Sequence, residues 1–89
     1  VTVLVVRLSL RLPGCASLKE KRRRVRGSIE RARALGLAVA EVGDQDLWGN
    51  AEVGLVAIGD EELLRRGVAL FEEHSELEVV GIEREELRL

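Results

Sequence analysis

Residues 17–36 read S-L-K-E-K-R-R-R-V-R-G-S-I-E-R-A-R-A-L-G, and the reading of this stretch decides the fold. Ser17 and Glu20 stand at the S-x-x-E spacing of a capping box, in which each side chain satisfies a free amide at a helix start. Leu18, Val25, Ile29 and Ala32 then recur at helical spacing and share one face. Gly36 falls where a left-handed cap is expected. The stretch predicts a helix over 18–35.

On its N-terminal side, residues 1–12 alternate. Leu4, Val6, Leu8, Leu10 and Leu12 make one apolar face. The other face begins with Val1, Val3 and Val5 and becomes polar at Arg7, Ser9 and Arg11. Pro13-Gly14 ends this strand. On the C-terminal side, L-A-V-A-E-V (37–42) and A-E-V-G-L-V-A-I (51–58) read as strands around the polar loop G-D-Q-D-L-W-G-N. Asp60 is placed to cap a second helix, with Leu63, Leu64, Gly67 and Phe71 inward and His74 in its last turn. L-E-V-V-G-I-E (77–83) reads as a fourth strand followed by a charged tail.

The order is β-α-β-β-α-β. Two right-handed split βαβ units give a four-stranded antiparallel sheet with two helices on one face. The expectation is a single ferredoxin-like domain of class α/β (an α+β sandwich) over residues 1–89. Its open sheet face would be apolar near Val1, Val3 and Val5, which invites a partner sheet or a second copy.

Composition excludes several function classes. No run approaches the ~20 apolar residues that span a bilayer. The N-terminal apolar run is broken by Arg7 and Arg11 and does not read as a secretion signal. The lone Cys15 permits no internal disulfide and fits a reducing cytosol. One thiol is too few for an iron–sulfur cluster. One Cys and one His far apart make a poor zinc site. G-N-A-E-V-G (49–54) has the glycine spacing of a phosphate loop, but Leu55-Val56 stands where Lys-Ser/Thr is needed. No cofactor and no metal is expected.

Catalytic signals are similarly thin. Cys15 precedes a helix start, a place that can activate a thiol, yet no resolving Cys or obvious base accompanies it. His74 reads as a helix-end cation. Glu61-Glu62 and Glu72-Glu73 read as a solvated helix face. The chain is expected not to be an enzyme. Base stacking on the first and third strands, as in RNA-recognition sheets, is excluded because neither strand carries an aromatic residue.

Charge is the informative signal. Residues 1–35 hold ten Lys and Arg against two Glu, a balance of +8; residues 36–89 hold four Arg against fourteen Asp and Glu, a balance of -10. On the predicted first helix, Lys19, Arg22, Arg23, Arg26 and Arg33 fall within an arc of about 100° beside the apolar stripe. Cations in a first turn oppose the helix dipole, so the cluster marks a candidate phosphate-binding ridge, with Arg7 and Arg11 as helpers. The competing reading is a solvated face, or one neutralised by the acidic second helix or a neighbouring subunit. Trp48, in the loop Gln45-Asp46-Leu47-Trp48, also has two readings. It is a stacking platform or partner anchor, or else a plug closing one end of the core or part of a dimer contact.

S-L-K-E-K-R at Ser17–Arg22, together with Glu41 and then Gln45, Asp46, Leu47 and Trp48, resembles the YlxP-like family of small bacterial proteins, a domain of unknown function. The resemblance runs from the first strand to Val80. This sequence departs from the pattern at Gly43-Asp44 and Gly49-Asn50. The resemblance implies a ferredoxin-like fold, a setting among translation and ribosome-maturation genes, and no established catalytic residue. The resulting expectation is a cytoplasmic, non-enzymatic accessory protein associated with RNA or a ribosomal particle. The alternative is a homodimeric protein-interaction module that binds no nucleic acid.

Overall fold

The alternation of β1 (Thr2–Arg11) places Leu4, Val6, Leu8 and Leu10 on the face beneath the helices, where all four are buried. In the computed structural model, which describes residues 1–89, β1 is followed by α1 (Leu18–Ala34), β2 (Ala38–Gly43), β3 (Asn50–Ile58), α2 (Glu61–Glu72) and β4 (Glu78–Arg88). The strands form one antiparallel sheet in the order β2-β3-β1-β4. This is the expected ferredoxin-like arrangement.

The core lies between sheet and helices. The inward residues of β1 meet Ala51, Val53, Leu55 and Ala57 of β3, Val25, Ile29 and Ala32 of α1, and Leu64 and Phe71 of α2. Phe71 is the largest apolar side chain with no exposed surface. Gly36 takes φ 105°, and the amides of Gly36 and Leu37 return to the carbonyls of Arg33 and Ala32. That double closure ends α1 and turns the chain into β2.

Two boundaries differ from the sequence reading by more than one residue. The charged tail after Glu83 is strand: β4 stays paired with β1 out to Thr2 and Arg88. The long β1 offers a full row of amides and carbonyls on that side, and backbone pairing does not depend on an apolar pattern. An irregularity opposite Ser9 and Leu10 leaves Val80 as an extra residue in β4. Second, α2 ends at Glu72, so His74 lies beyond the helix.

No helix is long and apolar enough to cross a membrane.

Candidate functional site

The first turn of α1 is built as its sequence dictates. Ser17 Oγ accepts from the Glu20 amide at 3.1 Å, and Glu20 Oε2 accepts from the Ala16 amide at 3.1 Å. The Ala16 amide, and after it Arg24, holds the Glu20 carboxyl below the ordinary range.

Beyond that turn the structure sorts the basic residues of α1 into three groups. Lys21 and Arg24 turn inward and are 1% and 8% exposed, which the apolar-stripe reading did not anticipate. Lys21 Nζ lies 3.0 Å from Glu41 Oε2 on β2 and donates to the Asp44 carbonyl. Arg24 donates to the Pro13 carbonyl at 2.8 Å and to Glu20 Oε1 at 2.6 Å, and its Nε lies 3.4 Å from Glu76 Oε2. Such inward cations are tolerated because every charge has a partner and the long stems pack as hydrocarbon.

A second group is tethered at the surface. Arg23 pairs with Glu76 at 3.0 Å, which holds the Glu76 carboxyl below its ordinary range. Arg33 Nε donates to the Val39 carbonyl at 2.9 Å.

Lys19, Arg22, Arg26 and Arg31 form the third group and make no ion pair within the chain. Lys19, Arg22, Arg23 and Arg26 line one open trough of about 740 Å³ along α1, shared with Ser17, Gly27 and the carboxylates of Glu20 and Glu30. Arg22 and Arg26 also line a smaller hollow of about 220 Å³, with Arg33 and Glu41. The structure therefore brings five expected ridge residues, Lys19, Arg22, Arg23, Arg26 and Arg33, onto one continuous surface.

Arg7 and Arg11 are not part of it. They stand on the opposite, open face of the sheet and pair with Glu83 and Glu78 of β4, each at 2.8 Å. A ligand seated on the ridge has the thickness of the sheet between itself and both residues. Their role as helpers is corrected on that ground.

The β2–β3 loop is fixed at both ends. Asp44, at φ 58°, presents its carbonyl to Lys21 Nζ and to the Leu47 amide. Gly49 accepts from the Leu12 amide at 2.9 Å, and Gln45 Nε2 donates to the Glu41 carbonyl at 3.3 Å. Between these fixed points Leu47 and Trp48 are 50% and 54% exposed. Trp48 is thus no plug for the core, which Phe71 and the leucines of β1 already fill.

Lys21 and Glu41 are the residues whose role the sequence reading missed. A signal was available: Leu37, Val39 and Glu41 share the inward alternation of β2. A carboxylate in that register demands a buried cation.

The other chemical candidates are engaged structurally. The Cys15 thiol donates to the Ser17 carbonyl at 3.4 Å. His74 Nδ1 accepts from the Glu76 amide at 3.1 Å, so its ring shapes the turn beyond α2. Glu61 pairs with Arg84 and Glu62 with Arg65.

A family model described as "Protein of unknown function (DUF503)" matches residues 3–84. The chain belongs to this family. In this DUF503 chain the segment Ser17–Arg22 and the segment Glu41–Trp48 meet at the Lys21–Glu41 pair, so they form one structural unit. A search of curated proteins returns no match. Among solved structures, the DUF503 chain is similar to an acylphosphatase from Bacillus subtilis, at 20% identity and a TM-score of 0.54, over 100% of this chain and 88% of that one. It is also similar to SnoaB, a cofactor-independent oxygenase from Streptomyces nogalater, at 12% identity and a TM-score of 0.58, over 99% and 92%. Two unrelated activities on one backbone show that the likeness carries the fold and not the chemistry.

Proposed function

We propose that this chain is a cytoplasmic, non-enzymatic accessory module that binds RNA, free or in a ribosomal particle, through phosphates along α1. The observation that carries the reading is the trough of Lys19, Arg22 and Arg26, cations with no partner in their own chain. At 1.5 Å per residue the three span about 10 Å of helix, a length suited to successive phosphates of one strand. Arginine forks match phosphate oxygens, and the resulting affinity is salt-dependent and largely indifferent to sequence. Lys21 and Arg24 add nothing to this grip, since their charges are spent inside the fold.

The test is co-sedimentation with ribosomal particles, and anisotropy with labelled RNA, across a salt series. A variant carrying Lys19→Glu, Arg22→Glu and Arg26→Glu runs alongside. About three contacts predict a log–log salt slope near -2 for a single strand, with binding lost in the variant. Salt-independent binding, or binding unaltered in the variant, would sink the proposal.

A second reading is supported by the open sheet face, where Val1, Ile58 and Leu87 are exposed beside Val3 and Val5. A homodimer through this face rests on apolar burial and persists at high salt. Its mass in solution separates it from the first reading.

A further inference from the structure

Resting on the phosphate-binding reading, we infer that the ligand of α1 is single-stranded and that Trp48 stacks on one of its bases. Trp48 is 54% exposed, in a loop held at Asp44 to α1 through Lys21 and at Gly49 to the end of β1 through the Leu12 amide. An aromatic ring presented on a fixed loop loses little freedom on binding, which favours a stacking platform. The chain offers no other free platform. Phe71 is wholly buried, and the His74 imidazole is engaged by the Glu76 amide.

The charges around the ring divide the work. Asp44 and Asp46 flank the loop's turn and repel phosphate there, so the loop suits the uncharged face of a base. Lys19, Arg22 and Arg26 suit the backbone. The chain bounds how far apart the two parts can lie. Asp44 touches Lys21, the neighbour of Arg22, and Trp48 is four residues beyond Asp44, at most about 14 Å of chain. A few nucleotides cover that interval, the lower end of the site sizes found for single-strand grooves. A duplex keeps its bases stacked inside and offers this surface only its phosphates.

Trp48 is the sole Trp and the chain has no Tyr, so protein fluorescence reports on this loop. The titrants are an oligouridine of about ten nucleotides, a blunt RNA duplex of equal phosphate number, and inorganic polyphosphate. Binding is followed independently by anisotropy or competition. Oligouridine is expected to quench Trp48, while the duplex and polyphosphate bind without quenching. Trp48→Ala should weaken oligouridine about tenfold, with Trp48→Phe retaining most of the affinity, and should leave the duplex within twofold. Oligouridine binding with no quenching and no effect of Trp48→Ala overturns stacking and leaves the phosphate reading standing. Equal quenching by polyphosphate also overturns it, since a ligand without bases cannot stack. Failure of all three titrants to bind removes the phosphate reading and this inference together.

Discussion

Lys21 of α1 stands 3.0 Å from the carboxylate of Glu41 on β2, with its side chain 1% exposed and its ammonium donating to the Asp44 carbonyl. One side chain thereby ties the first helix to the edge strand and to the loop that follows it.

Removing that side chain leaves Glu41 without its cation. Lys21→Ala is expected to lower the unfolding free energy by about 3 kcal/mol, the cost of breaking a buried pair from one side. Lys21→Met, which keeps the apolar stem, should cost less. Urea unfolding followed by circular dichroism measures both. In Lys21→Ala the collisional quenching of Trp48 by acrylamide should rise, because the loop loses its tie at Asp44. Unchanged stability in both variants would contradict this account of the pair.

Ser28 is wholly buried on α1 and its hydroxyl has no hydrogen-bond partner. Ser28→Ala removes an unsatisfied polar group and improves helix propensity, so it should stabilise the protein by about 1 kcal/mol. A lower thermal midpoint for this variant would show that the hydroxyl is satisfied in solution.

The two helical glycines should respond in opposite directions. A methyl at Gly27 meets nothing within 4 Å, so Gly27→Ala should gain close to the helix-propensity difference, about 1 kcal/mol. A methyl at Gly67 would overlap Leu37 Cδ1 and sit 3.1 Å from Leu55 Cδ2. Leu37 and Leu55 are themselves packed into the core, so overpacking of about 1–3 kcal/mol outweighs the same propensity gain. Parallel denaturation of the two variants makes the comparison.

Acid should weaken the fold through four carboxyls. The Ala16 amide and then Arg24 lower Glu20; Arg84 lowers Glu61; Arg65 lowers Glu62; Arg23 lowers Glu76, each from an ordinary value of 4.5. Because the folded values lie below the unfolded ones, the unfolded chain binds more protons in the interval between them. The stabilisation is fully present above pH 4.5 and is lost as pH falls through the folded values. Glu76→Gln should flatten the acid limb of stability against pH, and an unaltered limb would remove Glu76 from the account.

The fold was legible because local signals agreed. The alternation of Leu4 to Leu12, the Ser17–Glu20 cap and Gly36 each fixed a boundary within a residue or so. The site was legible in part. A helical wheel locates Lys19, Arg22 and Arg26 correctly, since exposed residues obey the wheel with no tertiary partner. It also sets Lys21 between Val25 and Ser28, on the buried side, but it gives no partner for a cation there, and the partners of Lys21 and Arg24 are Glu41, Pro13 and Glu76, residues distant in sequence. The strand character of residues 84–88 was hidden for a related reason. Backbone pairing with β1 imposes it on side chains that carry no apolar alternation.

The position of Glu41 has a further consequence for the behaviour of the protein in concentrated solution. β2 is an edge strand, and Ala38, Ala40 and Val42 give its outer face no charge to deter an incoming strand. Glu41 points inward yet keeps 21% of its side chain exposed. A strand added beyond β2 would seal that carboxylate from water, and inward charges on edge strands discourage such addition. Together with Arg33, whose Nε occupies the Val39 carbonyl on the same edge, the Lys21–Glu41 pair sets charge against the addition of a further strand beyond β2.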